Sequence, residues 1–206
     1  MKPISHAQLR NYLTHIIAPS CHNNIAVVSA FAAFPRELFV DEVLKSKAYT
    51  KDALPIGYGQ TISQPALVAY MLEMLELSIE HSCLEIGSGS GFVTALLSKL
   101  VKQVYAVDIV PELVLLAKRR LRNLHVRNAD VSLSDGSLGL AEKAPFDRIL
   151  ASAGANSLPS SLVAQLAVNG IMLIPLNGIL TKIIKAADKL ETIPLGDVSF
   201  VDFINT

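Results

Sequence analysis

Apolar positions along the chain change their period near residue 80. Before that point they recur at helical spacing. "HAQLRNYLTHI" (6–16) reads as a helix, and so does "NNIAVVSAFAAF" (23–34), where Asn23 or Asn24 can cap the first turn. "FPRELFV" (34–40) ends that second segment, and Leu67, Val68, Met71, Leu72 and Leu75 then form one apolar face over 65 to about 77. After residue 80 short β-rich runs alternate with helical ones. "SCLEIG", "QVYAVD", "VRNADVSL", "FDRILAS" and "GIMLIP" read as strands, with "FVTALLSKL", "PELVLLAKRRL" and "SLVAQLA" as helices among them. Such alternation predicts an α/β fold: a doubly wound, mostly parallel sheet covered on both faces, with right-handed crossovers. Beyond Gly178, "ILTKIIKAADKLETIPL" and "VSFVDFI" look like strands with no helix between them, so they are expected to finish the sheet antiparallel.

Length supports one domain. The 206 residues show no break in composition, and half of them would make a marginal core. Residues 1–78 are expected to supply the N-terminal helices and the loop that follows them, and 79–206 the sheet. The formal net charge is zero and the longest basic cluster is Lys118, Arg119 and Arg120, which argues against a nucleic-acid partner. Hydrophobic residues make up 51% and charged ones 17%, leaving room for a groove or a subunit contact, so the oligomeric state stays open. The uncharged run 151–180 is interrupted by Asn156, Pro159, Gln165, Asn169, Gly170, Pro175 and Asn177, which suits helix, turn and buried strand better than a membrane span. The start, "MKPISHAQLR", lacks an apolar secretory segment, and a cytoplasmic location is the expectation. Cys21 and Cys83 are expected as buried free thiols. The five histidines have no ligand spacing with them, so no metal site is expected.

Chemistry concentrates first in "LEIGSGSG". Gly87, Gly89 and Gly91 follow a strand and open a helix, where glycine admits left-handed backbone angles and lets a ligand approach the main-chain N–H groups. Asp108 ends the next strand, the position from which a carboxylate takes ribose hydroxyls. A dinucleotide fingerprint would want a further glycine at 92, where Phe92 stands. The spacing G-x-G-x-G, with Glu85 two residues ahead, is the first motif of S-adenosylmethionine-dependent methyltransferases. "SDG" (134–136) follows the third strand and can offer Asp135 to an adenine amino group, although Asp-Gly is also a common turn.

The second concentration is "LPIGYGQTISQP" (54–65), rich in hydroxyls, amides, glycine and proline and free of charge. By spacing alone Ser63, two residues before Pro65, reads as the N-cap of the following helix.

"PRELFV", "ALPIGYGQTISQP", "LEIGSGSGFVTALLS", "APFDRIL" and "NGIMLIPL" together resemble the protein-L-isoaspartate (D-aspartate) O-methyltransferase family in order and spacing, from about Val27 to Ile174. The resemblance implies a seven-stranded methyltransferase sheet of Rossmann-like type and S-adenosyl-L-methionine as cofactor. It implies isoaspartyl-containing proteins and peptides as partners, with neither nucleic acid nor membrane. It makes Ser63 the catalytic hydroxyl and sets Gln60, Thr61 and Ile62 beside the cofactor. The other cofactor contacts it implies are Glu85, Gly87, Ser88, Gly89, Asp108, Ile109, Asp135 and Gly136. Arg36 and Glu37 match the family and are expected to brace the N-terminal helices.

This chain departs from the family pattern at "ASAGANSLP" (151–159), at Asn169-Gly170 in place of a paired glycine with "PLNG" (175–178) after it, and at "FVDF" (200–203), where Asp202 and Phe203 stand in place of Pro and Leu. Two other readings stay open beside repair: the same fold acting on a different acceptor, and a cofactor-binding member without turnover.

Overall fold

The structure is a computed structural model that describes residues 5–201 and 203. The chain opens with α1 (His6–Tyr12), capped by Ser5 in a reciprocal box with Gln8, and runs through one π-helical turn, Leu13–Ile17, into the short α2 (Ala18–Ser20). Of the two candidate caps for α3 (Ile25–Ala33) it is Asn24 that serves, its side chain accepting from the N–H groups of Ala26 and Val27. Two 3₁₀ turns, Arg36–Phe39 and Glu42–Lys47, lead to a small antiparallel hairpin of β1 (Leu54–Gly57) and β2 (Gln60–Ile62). Next, α4 (Pro65–Met74) stops sooner than its apolar spacing suggests. Glu76 turns left-handed at φ 51°, and the Arg148 guanidinium takes the carbonyls of Leu75 at 2.6 Å and Glu76 at 3.0 Å.

The remainder alternates as expected: β3 (Ser82–Ile86), α5 (Phe92–Ser98), β4 (Gln103–Asp108), α6 (Pro111–Asn123), β5 (Ala129–Leu133), β6 (Phe146–Ala151), α7 (Ser160–Gln165), β7 (Leu166–Leu176), β8 (Ile179–Lys185) and β9 (Leu190–Asp197). The seven strands lie in the order β5-β4-β3-β6-β7-β8-β9. Pairs from β5 to β7 are parallel, and β8 and β9 are antiparallel, as the C-terminal pattern predicts. The chain winds outward from β3 to β5, then returns to β6 on the other side of β3. That reversal opens a crevice at the carboxyl ends of β3, β4 and β6.

The central parallel strands β3, β4 and β6 are buried on both faces, so their apolar residues divide between two cores. Cys83 belongs to the larger, which also holds the N-terminal helices, α4, α5 and α6; Leu84 and Ile86 belong to the smaller, under α7. No helix among the described residues is long and apolar enough to cross a membrane. The uncharged run 151–180 resolves into loop, the short α7 and two strands. Helix α7 ends at Gln165 instead of continuing through Ala167, and β7 begins at once. The Gln165 side chain accepts from the Leu140 N–H and donates to the Leu138 carbonyl, both at 2.7 Å.

The expected strand "VSFVDFI" does not form over its described part. The Val198 N–H reaches the Gly178 carbonyl, after which the chain leaves the sheet and crosses above β6. There Gly154 donates to the Val201 carbonyl at 2.7 Å and accepts from the Phe203 N–H at 2.8 Å. Backbone groups that a ladder would have paired are taken by a loop, while Phe200 and Phe203 pack into the larger and smaller cores respectively. Asp202 lies outside the described residues.

Arg36 has a different task from bracing the N-terminal helices. It is fully buried, and its guanidinium donates to the carbonyls of Ala48 (2.8 Å), Asp52 (3.0 Å), Ile62 (3.3 Å) and Ser63 (3.0 Å). It thereby ties the hairpin loop to the 3₁₀ segment before it. Arg36→Ala strands these carbonyls and leaves a cavity, and it is expected to lower the unfolding free energy in urea by at least about 3 kcal/mol. Arg36→Lys, with a point charge in place of a fork, recovers less than half of that loss.

Candidate functional site

The glycine turn is built by its neighbours. The N–H groups of Gly87 and Ser88 both donate to the Val107 carbonyl of β4, at 2.8 and 3.1 Å. Gly87 (φ 83°) and Gly91 (φ 83°) adopt angles that suit glycine, and a Cβ at Gly91 would sit 3.2 Å from Ala117 of α6. Asp108 closes the arrangement from the end of β4. One carboxylate oxygen accepts from the Gly89 N–H at 2.7 Å and the other from the Val110 N–H at 3.0 Å. Each oxygen keeps a lone pair for a further donor.

Beside this turn lies a cavity of about 690 Å³. Every site residue expected from the sequence lines it: Ser63 with Gln60, Thr61 and Ile62 on one wall, then Glu85, Gly87, Ser88 and Gly89, then Asp108 and Ile109, and Asp135 with Gly136. The sequence reading missed Asp197, Ser152 and the tail residues Phe200, Val201 and Phe203, which complete the wall. Ser152 and the tail lie in the stretches 151–159 and 200–203, whose departure from the family pattern obscured them, and Asp197 carried no signal. No Lys or Arg lines the cavity among the described residues.

Glu85 is wholly buried. The Thr94 hydroxyl donates to one carboxylate oxygen at 2.5 Å, and among the described residues the other oxygen has no partner. Burial above all, with the charge of Asp108 adding to it, pushes this carboxyl up to about 8 against the opposing pull of the Thr94 hydrogen bond. The Ser88 hydroxyl is also buried without a partner. These two orphaned oxygens on one turn call for N–H or O–H donors from outside the chain. The amino-acid end of S-adenosyl-L-methionine, with its ammonium, fits that demand.

At the far end, Asp135 accepts from the N–H and hydroxyl of Ser137 on one oxygen, at 2.8 Å each. Gly136 is not there for a left-handed turn. A Cβ would lie 2.3 Å from Ile86 Cγ2 and 3.8 Å from Phe203, so a flat slot stays open only while this residue is glycine.

Ser63 does not cap α4. The N-cap position belongs to Gln64, since Pro65 takes the first helical position, and Gln64 makes no side-chain cap. Among the described residues nothing hydrogen-bonds the half-buried Ser63 hydroxyl, whereas its carbonyl is held by Arg36.

The model of the protein-L-isoaspartate(D-aspartate) O-methyltransferase family matches residues 9–205. The chain belongs to that family. A protein-L-isoaspartate O-methyltransferase of Photobacterium profundum is 41% identical over 199 residues, 97% of this chain and 95% of the relative. That of Shewanella halifaxensis is 40% identical over 208 residues, 100% and 98% of the two. Among solved structures, the protein-L-isoaspartate O-methyltransferase of Plasmodium falciparum in complex with S-adenosyl-L-homocysteine aligns with a TM-score of 0.83 at 23% identity, covering 95% of this chain and 97% of its own. A second protein-L-isoaspartate O-methyltransferase gives 0.86 at 24%, over 94% of this chain and 65% of its own. Those two share the fold. For a protein-L-isoaspartate O-methyltransferase fold the seven-stranded sheet, with its last two strands antiparallel, is thus the expected frame.

A carboxyl raised in the folded state makes its stabilising contribution at low pH and loses it as pH climbs through the folded value. Relative to Glu85→Gln, the unfolding free energy of the wild-type protein should fall steadily from about pH 5 to about pH 8 and level off above. Urea titrations at pH 5, 6.5 and 8 check this, and parallel behaviour of the two proteins would mean Glu85 is already ionised in its buried position.

Proposed function

We propose that this chain transfers a methyl group from S-adenosyl-L-methionine to the free carboxylate of L-isoaspartyl and D-aspartyl residues in damaged proteins. The observation that carries the reading is the uncommitted Ser63 hydroxyl on the wall of the same cavity as the orphaned Glu85 and Ser88 oxygens. Family membership supplies the acceptor class. The sequence divides the work of one domain: 1–78 brings the acceptor loop and 79–206 the cofactor end.

S-adenosyl-L-methionine, when bound, supplies an electrophilic methyl on a sulfonium. The chain's part is binding and alignment. Glu85 and Ser88 receive the amino-acid end, Asp108 the ribose hydroxyls, and Asp135 the adenine amino group beside Gly136. Gln60, Thr61, Ile62, Gly87, Gly89 and Ile109 enclose the rest.

An acceptor carboxylate is ionised near neutral pH and is already a nucleophile, so the site needs no strong base. Ser63 donates to it and fixes its direction. Alignment of this kind is worth on the order of 7–11 kcal/mol in the best intramolecular cases. A lysine or arginine here would hold the carboxylate most firmly before reaction, and an acid would repel it; neutral donors avoid both. Arg36 contributes from behind, engaging the carbonyls of Ile62 and Ser63 so that they do not face the acceptor. Charge is lost when a carboxylate meets a sulfonium, which favours a site closed to water. Phe200 and Phe203 of the tail provide apolar cover on that side.

The reading places the protein in the cytoplasm. Cys21 and Cys83 support this as buried free thiols, both pushed up by burial and so unreactive.

The deciding experiment compares an isoaspartyl peptide with its aspartyl counterpart. Labelled methyl should pass from S-adenosyl-L-methionine to the first and not the second, and equal labelling of both, or of neither, overturns the proposal. Ser63→Ala is expected to lower kcat by about 100-fold while calorimetry finds the affinity for S-adenosyl-L-homocysteine unchanged. A parallel fall in affinity would make Ser63 a cofactor contact instead.

A further inference from the structure

A second cavity, of about 700 Å³, lies away from the site along the free edge of the sheet. Its floor is β5, which pairs on one side only, with β4. The helix α6 forms one wall and the turn at 140–143 the other. The phase of the ladder is set by its two ends: the Val104 N–H donates to the Asn128 carbonyl at 2.9 Å, and the Ser134 N–H to the Asp108 carbonyl at 3.1 Å. Parallel pairing alternates, so Ala129, Val131 and Leu133 turn their N–H and C=O groups outward. Exposed edges of this kind are ready templates for another chain.

The walls say what kind. Lys118, Arg122, Arg127 and Lys143 line the groove, all exposed, and only Asp130 and Glu142 oppose them. Lys143 is steadied over the Tyr105 ring at 5.8 Å. Two copies of this edge meeting each other would set these cations face to face, which disfavours self-pairing. A nucleic acid would match the charge but brings a phosphate backbone of acceptors only, leaving the outward carbonyls without donors. An extended polypeptide offers both donors and acceptors at strand spacing.

We propose that the outer edge of β5 docks an extended, acidic peptide segment, which adds to the sheet as an eighth strand while its carboxylates meet Lys118, Arg122, Arg127 and Lys143. Strand β5 runs directly into Ser134, Asp135 and Gly136, and the last two line the site cavity. A segment held on β5 therefore keeps a neighbouring stretch of its own chain close to Ser63, at an effective concentration on the order of millimolar for a short tether. This consequence rests on the methyltransferase reading. The docking itself does not.

The probe is a fluorescein-labelled peptide of alternating Glu and Val, without isoaspartate, followed by anisotropy on the full chain. Binding is expected, weakened at least tenfold by Arg122→Gln/Arg127→Gln and by Ala129→Pro, which removes one outward N–H. Both variants should still methylate a short neutral isoaspartyl peptide at the wild-type rate. When that peptide carries a Glu/Val tail, KM should rise about tenfold in the variants with kcat unchanged. The proposal is overturned by no binding at millimolar peptide, by equal binding of a Lys/Val peptide or of a single-stranded oligodeoxynucleotide of matched charge, or by binding that neither variant weakens. Failure of every methylation arm with binding intact would sink the repair reading and leave the edge site standing.

Discussion

The carboxylate of Asp108 joins three pieces of backbone that must hold still together. It takes the Gly89 N–H from the turn after β3 and the Val110 N–H ahead of α6, from its own place at the end of β4. Two parallel strands are thereby fastened at the end where the crevice opens, by hydrogen bonds to a charged acceptor, which are worth about 1.5–3 kcal/mol each. The bend 87–91 depends on this. Without an acceptor at Gly89 its N–H would be left to water or to a ligand, and the close approach of Gly91 to Ala117 would lose its definition. The same oxygens face the cavity, so structure and binding draw on one side chain.

Charge in the cavity is divided in space. Asp108 and Asp135 stand on the sheet side, with the buried Glu85 able to ionise when a cationic group approaches, and Asp197 lies on the wall as well, while the loop on the opposite wall is neutral. Behind that loop sits Arg36, buried and, among the described residues, without a carboxylate in ion-pair contact, its charge met by four carbonyls. Burial lowers its pKa somewhat from the usual arginine value, yet a guanidinium keeps its proton at any ordinary pH. A fixed positive charge one residue layer back gives the loop a favourable field for an anion without forming an ion pair to it. The uncharged character of 54–65 is then half of an electrostatic design whose other half lies in the preceding segment.

Much of this was legible in the chain and some was not, for separable reasons. The turn, its acid and the Asp135–Gly136 pair could be located because strand, glycine spacing and terminal acid recur in fixed order. The function of Arg36 could not be read, because its partners are backbone carbonyls, which leave no trace in side-chain identity. Ser63 looked like a cap until Pro65 assigned the first helical position and passed the cap to Gln64. Gly136 suggested a turn, whereas its reason is the bulk of Ile86, a residue fifty positions earlier that only the sheet brings near. Periodicity also overran helix ends at α4 and α7, where Arg148 and the start of β7 decide the stop. The apolar tail imitated a strand because a segment that plugs a crevice and one that lies in a sheet are equally apolar.

Two of the stretches where this chain leaves the family pattern, 151–159 and the tail after Val198, meet in space. Gly154 donates to Val201 and accepts from Phe203, so the loop and the tail are partners through their main chains. A loop residue that a helix or strand claimed could not offer both groups, and a tail continuing as a strand on β9 could not reach them. Phe203 packs on the smaller core and approaches Gly136 beside Asp135 on the cavity wall. The loop and the tail thus form one continuous wall at the mouth of the site.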